Sequence, residues 1–274
     1  MRPIHQRIRT NYYITMQKML LFVICLCLGT MTVMADEKDA GLTDKNNWGG
    51  KLIKSPFGLG LDVQTKYMWR GMEMMTEDSA PVLFPSINYS YKGLFVYAMG
   101  GYAINGKYAE VDCGVGYTAG DFNIGVNDYF YPTTDSNQDK YIGGGKHTGH
   151  WLEAVVTYSP SKLPLWLTLS NFFYGADKYA THNGDEKQAY STYLEIGTYY
   201  DFLDSNRIAL TLGAALNKSC YNGYEHDFSV CNIELKYTYN VSFKSGWELP
   251  LNVAYIYNPV FDKSYINFVA NFAF

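Results

Sequence analysis

The chain is poor in charge, poor in cysteine and, past its amino terminus, free of long apolar runs. Charged residues make up only 18% of its 274 residues and leave a net charge of -4. No basic stripe is present to release counterions from a polyanion, which argues against a nucleic-acid partner. Of five cysteines, Cys25 and Cys27 fall in an amino-terminal leader, and Cys113, Cys220 and Cys231 lack metal-ligand spacing. Cys220 and Cys231 flank an expected loop. There they either bridge in an oxidising compartment or remain small apolar side chains. After the leader no apolar run approaches the roughly 18 residues that a helical membrane span needs. Catalytic signatures are missing too: the chain holds neither a Gly-x-Ser-x-Gly nor a His-Glu-x-x-His element. His147, His150, His182 and His226 lie in or beside expected loops, and the pair His147-x-x-His150 is weak as a metal site. No cofactor, no metal and no enzyme activity are expected.

What is present is aromatic and glycine-rich. Tyr 26, Phe 15 and Trp 5 bring aromatics to 17%, Gly is 25, and mean hydropathy is -0.18. That mixture suits strands with one face toward lipid and one toward water, with Tyr and Trp at the interfaces. It also suits an aromatic-rich β-sandwich, so pattern has to decide. Residues 1–35 read as a signal peptide: Arg2, Arg7, Arg9 and Lys18, then the apolar run Met19 to Leu28, then Val33-Met34-Ala35 with cleavage expected after Ala35. Residues 36–56 are polar, with Gly49-Gly50 and Pro56, and read as a flexible periplasmic segment.

From Phe57 the period is two. Phe57, Leu59, Leu61, Val63, Thr65, Tyr67 and Trp69 alternate with Gly58, Gly60, Asp62, Gln64, Lys66, Met68 and Arg70. A strand sends alternate side chains to opposite faces, so this segment has one oily face and one wet face. The same alternation returns at Ala109–Tyr117, Phe122–Asn127, Leu163–Ser170, Ile208–Asn217, Ile233–Tyr239 and Trp247–Tyr255. Segments 80–92, 150–159 and 189–200 fit less cleanly, and 94–103 is apolar on both rows, which leaves its facing open. A tilted strand crosses a bilayer in about 9–11 residues, and about twelve such segments are expected across 57–274.

Connections alternate short and long. Lys92-Gly93, Ala119-Gly120, Ser159–Lys162, Leu203–Asn206 and Phe243–Gly246 are tight. The stretches 71–79, 104–107, 131–148, 175–187, 218–225 and 258–262 are mostly longer. Outer-membrane barrels sort short turns to the periplasm and long loops to the outside, whereas a soluble sandwich has no reason to. The expected fold is therefore all-β, a transmembrane antiparallel up-and-down barrel of about twelve strands in a bacterial outer membrane. Its surroundings would be outer-membrane lipid and lipopolysaccharide. The last strand, ending at Phe274, resembles the signal by which such proteins reach the barrel-assembly machinery.

Thr65-Lys66-Tyr67-Met68-Trp69-Arg70-Gly71, then Pro81, Lys92-Gly93, Glu110-x-Asp112, Gly116-Tyr117 and Tyr131-Pro132 resemble the TorF-type porins, a bacterial family. The similarity covers roughly 57–132; later strands match in style alone. Met72, Met74 and Met75 replace polar residues that the family carries after Arg-Gly. The resemblance implies an outer-membrane location and a pore, and little about the solute.

With the wet rows turned to the lumen, Asp62, Glu110, Asp112, Glu153 and Glu195 are inward acids, and Lys66 and Arg70 inward bases. Lipid-facing charges would cost up to about 2–4 kcal/mol each at mid-bilayer, so this confinement follows from the architecture. Asp128 breaks the row and is placed at the extracellular rim. Arg70, Glu110 and Asp112 are expected near the extracellular ends of neighbouring strands. They form either a charged constriction or an interior ion-pair network that fills the lumen. Trp166, Tyr174 and Tyr193 are expected to line the lumen, either stacking on a passing solute or packing a narrow interior. Three functions follow: a narrow channel for passive diffusion of small hydrophilic solutes, a non-conducting structural or adhesive barrel acting through its loops, and, last, a barrel enzyme acting on lipid.

Overall fold

The computed structural model describes residues 56–75, 78–132, 141–142 and 148–274. The expected leader, and all of the expected amino-terminal segment except Pro56, lie outside the described residues, as does His147.

Twelve strands close into one antiparallel barrel. In chain order these are β1 (Phe57–Gln64), β4 (Val82–Tyr91), β5 (Leu94–Ala103), β6 (Ala109–Ala119), β7 (Phe122–Phe130), β8 (His150–Tyr158), β9 (Leu165–Gly175), β12 (Thr192–Phe202), β13 (Asn206–Ala215), β14 (Ser229–Ser242), β15 (Glu248–Asn258) and β16 (Lys263–Ala273). Two small hairpins stand apart from the wall: β2–β3 (Met68–Trp69, Met72–Glu73) and β10–β11 (Lys178–Ala180, Glu186–Gln188). A short 3-10 turn, η1, covers Cys220–Asn222. The wall closes where β1 meets β16, with Asp62 opposite Asn271. Closure leaves no strand edge to aggregate. We call the two rims the turn end, which carries the tight connections and both barrel termini, and the loop end.

Alternation decides which side chains turn inward. Val115, Ile124, Val126, Leu169, Leu210 and Ile266 are exposed although apolar. Such an outer belt is stable only against lipid. At its turn-end margin aromatic rings gather: Phe57 with Tyr89, Phe122 with Tyr158, and Trp247 with Phe243, Phe272 and Phe274. Trp247 also donates its indole N–H to the Ala273 carbonyl at 2.9 Å, tying the turn before β15 to the last strand.

The segments with unclear faces have physical reasons. In β5 the inward row is Phe95, Tyr97, Met99, Gly101 and Ala103, and the outward row holds the exposed Leu94 and Val96. Both rows are apolar because the inward rings lie over glycines of the next strand. A Cβ on Gly114 would sit 2.1 Å from the Tyr97 ring, and one on Gly116 2.3 Å from the Phe95 ring. In β4 the ladder to β5 is interrupted at Phe84 and Pro85; a proline has no N–H to give it. Its inward Val82 and Phe84 are buried against the chain that crosses the lumen, described next.

Candidate functional site: a hairpin latched across the lumen

The alternation through Arg70 suggests one long first strand, but the wall strand β1 ends at Gln64. Residues 65–75 leave the wall and fold into the barrel as the β2–β3 hairpin, with Trp69 opposite Met72. Its two-residue turn is Arg70-Gly71, and both have positive φ, 49° and 83°. That is the backbone of a type I′ turn, whose twist matches paired strands. Gly71 is required for a second reason. A Cβ there would fall 2.2 Å from the Cys231 carbonyl oxygen, so the tip lies backbone-to-backbone against β14. Asn258 of β15 holds the same tip, donating from Nδ2 to the Gly71 carbonyl at 3.0 Å.

The stem is closed on itself and fastened to the near wall. Lys66 bridges to Glu73 at 2.8 Å and also reaches Ser79. The Tyr67 and Tyr108 hydroxyls both donate to Glu110 Oε2, at 3.2 and 2.7 Å. Tyr67 packs edge-on against Phe84 and Tyr108. Asp112 lies on the same face of β6, and neither of its carboxyl oxygens has a well-formed hydrogen bond among the described residues.

The far wall receives the turn. The Arg70 guanidinium donates to Glu153 Oε1 of β8 and to the Tyr221 hydroxyl of η1. Its carbon stands 4.7 Å from the Trp69 ring centre and 4.8 Å from that of Tyr193. Glu153 is held in turn by the Tyr129 hydroxyl at 2.8 Å and by Asn127 Nδ2 at 3.4 Å. Trp69 packs against Tyr129, Phe172 and Tyr221. It also borders both buried clusters, the one at Tyr67 and Phe84 and the one at Phe172, Tyr193 and Tyr221. The hairpin therefore spans the lumen from wall to wall near the loop end.

This arrangement corrects the expected constellation. Arg70 meets Glu153 rather than Glu110 and Asp112, because the hairpin carries it away from the strands next to its root. Glu110, Asp112 and Glu153 are all wholly buried. Lys66 sits in the hairpin stem rather than on a wall strand. Tyr174 is also corrected. A register shift between Leu152 and Glu153 of β8 puts Tyr174 opposite Leu152, on the outward side, 45% exposed. Tyr193, by contrast, is 1% exposed and lies inside. The extra residue of a bulge reverses facing beyond it. Tyr129, Tyr221 and Asn258 were missed. An Arg-Gly pair between short apolar stretches was the available signal for the hairpin, but nothing local points to its receptor.

Toward the turn end the interior carries polar networks. Asp62 accepts from Asn271 at 2.7 Å, Asn271 from Asn252 at 2.6 Å, and Asn252 from Thr238 at 2.7 Å. Trp166 lies over Gly197, where a Cβ would fall 2.0 Å from the ring, and its indole N–H donates to Glu195 at 2.8 Å. The Tyr193 hydroxyl donates to the other Glu195 oxygen at 3.0 Å. Arg207 stacks on Tyr199 at 3.6 Å and pairs with Asp201.

At the loop end, outside the lumen, two loops are knit together. Asp177 accepts from the Ser191 amide at 2.7 Å and its hydroxyl at 2.6 Å, while the Cys220 amide donates to Ser191 Oγ at 3.0 Å. Tyr179 stacks on Tyr224. Burial raises the Asp177 carboxyl above the usual carboxylate range, against the lowering effect of the Ser191 bonds. Burial likewise pushes up the Cys220 thiol. Cys113, Cys220 and Cys231 are free. Asp128 lies on the outward row near the loop end, and His150 Nδ1 meets it at 2.8 Å; the other ring nitrogen faces the Tyr141 carbonyl at 2.7 Å.

The barrel resembles those of outer-membrane porins of known structure. For a KdgM porin the likeness covers 79% of this chain and 98% of that one, at 9% identity and a TM-score of 0.44. For a NanC porin it covers 78% and 98%, at 11% identity and a TM-score of 0.44. For OmpF of Salmonella typhi it covers 80% and 96%, at 9% identity and a TM-score of 0.37. No protein-family model matches the chain, and no curated protein matches its sequence.

Proposed function

We propose that this protein is a narrow outer-membrane channel for small hydrophilic solutes, closed toward the outside by its own first loop. The loop end is assigned to the cell exterior and the turn end to the periplasm, with delivery by the cleaved leader and assembly through the strand ending at Phe274. Lipid and lipopolysaccharide surround the belt. The resemblance to TorF-type porins fits this reading, and no enzymatic step is assigned to it.

One observation carries the reading. Where a barrel serves only as a scaffold, inward side chains interdigitate and fill it. Here the wall below the hairpin does the reverse: Gly114, Gly116 and Gly197 let Tyr97, Phe95 and Trp166 lie over it. Glycine weakens a strand, so its repeated use beneath rings is a cost explained by clearing the lumen. The hairpin above is then a closure held by a few contacts at its tip.

The test is single-channel recording of the full protein in planar bilayers beside Arg70→Ala. The expected result is a mostly closed wild type and a variant with larger or more frequent openings. Silence from both at every salt concentration and voltage would overturn the channel reading. A second reading, a barrel acting through its loops, has one observation in its favour. The cap made by residues 176–191 and 216–228 is tied across two loops through Asp177, Ser191 and the Cys220 amide.

A further inference from the structure

The Arg70 guanidinium occupies a receptor that belongs to the barrel. Glu153 comes from β8, Tyr193 from β12, and Tyr221 from the η1 turn; of the side chains around the charge, Trp69 alone belongs to the hairpin. The Glu153 carboxylate is aimed by wall residues, Tyr129 and Asn127, independently of the hairpin. With the hairpin withdrawn, the wall keeps a carboxylate beside the ring face of Tyr193 and the hydroxyl of Tyr221. A carboxylate beside aromatic faces is the chemistry that recognises an organic cation, and a planar guanidinium in particular, since it stacks and donates in one plane.

We propose that this wall site is a binding site for solutes bearing a guanidinium or similarly flat organic cation. Arg70 is a tethered imitation of that group, and such a solute displaces the hairpin by taking its place. Entry of the solute and opening on displacement rest on the channel reading above; the site itself does not. A tethered ligand acts at an effective concentration of roughly millimolar for a short linker. Free guanidinium therefore competes poorly in the wild type and binds readily once Arg70 is gone. Selectivity follows from the same geometry. A hydrated sodium ion gains little from the Tyr193 ring face or the Tyr221 hydroxyl, and an anion meets the Glu153 charge.

The experiment is thermal melting of the detergent-solubilised full protein and Arg70→Ala, with methylguanidinium chloride titrated to tens of millimolar against sodium chloride at equal ionic strength. The expected result is a lower melting temperature for Arg70→Ala. Methylguanidinium, and not sodium, restores at least half of the loss. In Arg70→Ala combined with Glu153→Gln that response disappears. Equal responses to the two salts, or an unchanged response in the double variant, would overturn the proposal. If Arg70→Ala does not reach its folded form, Arg70→Lys is used, which keeps a tethered charge but loses the planar fork. Methylguanidinium must then stabilise Arg70→Lys at a concentration several-fold below that needed for the wild type; the same concentration for both overturns the site. Planar-bilayer recordings in the same salts separate this from the channel reading. Binding without conductance sinks the channel and leaves the site, and conductance without any methylguanidinium-specific stabilisation of Arg70→Ala sinks the site and leaves the channel.

Discussion

At the loop end of the barrel, the carboxylates of Glu110, Asp112 and Glu153 are wholly buried under a hairpin, and rings meet edge to face from wall to wall. Toward the turn end, Asp62 joins a polar network and the rings of Phe95 and Trp166 lie over glycines, an arrangement that Tyr193 over Gly213 repeats beside the latch. The same strands supply both halves. In the first half side chains converge on a segment that is not part of the wall; in the second they retreat to the wall. Closure is thus an added part rather than a property of the barrel's diameter, and each half should fail in its own way.

The largest effect should come from Glu153→Ala. Removing one partner of a buried ion pair leaves the other charge unpaired and costs about 3–5 kcal/mol. Because Arg70 is on a hairpin, the relief available is to withdraw it. The outcome expected is loss of amide protection over residues 66–75 with the barrel strands still protected, read by hydrogen exchange. Strands and hairpin losing protection together would mean that the plug and the wall are one unit, and the comparison would fail.

Gly71→Ala should do the same without touching a charge. The left-handed φ of 83° and a Cβ 2.2 Å from the Cys231 carbonyl both oppose it. Strain of this kind costs about 1–3 kcal/mol. Larger bilayer currents than wild type are expected, with ion preference unchanged. A closed channel would show that the Arg70 latch alone holds the hairpin.

Gly197→Ala probes the other half. Trp166 would have to leave the wall and project into the lumen, an overpacking worth about 1–3 kcal/mol. In the Arg70→Ala background, reduced current is the expected outcome, and undiminished current would show that the rings do not border the path.

The contrast between halves also separates what the sequence makes legible from what it does not. A period of two identifies the inward face, and short and long connections identify the two rims. From these the twelve-strand barrel follows. Faces do not tell depth or partners. Arg70 and Glu153 are 83 residues apart, and their meeting depends on a hairpin crossing the lumen. That crossing imitates a strand's alternation, so β1 reads too long. The bulge that turns Tyr174 outward has no local signature. The ambiguous rows at 80–103 were themselves informative, since an inward apolar row in a polar-lined barrel marks a wall that carries a plug or flat rings.

The smallest effect concerns the loop cap, whose Asp177 links to the plug through the η1 turn that carries Tyr221. Its raised carboxyl means that the folded loops hold the proton more tightly than the unfolded chain does. The contribution to stability is therefore complete below the unfolded pKa and is lost as pH rises through the raised value. Protection factors over 176–191 and 216–228 should fall as pH is taken from about 4 to neutrality, because the usual Asp value near 3.9 marks the lower bound of the window. Asp177→Asn keeps an oxygen to accept from Ser191 and has no proton to lose. Its change in stability at neutral pH should stay within about 1 kcal/mol, the scale of one exchanged hydrogen bond, and the pH dependence of the two loops should flatten. If the wild-type cap is equally protected across that range, burial does not govern Asp177. If the cap loosens while residues 66–75 stay protected, the loops and the plug are separate devices that share only the η1 turn.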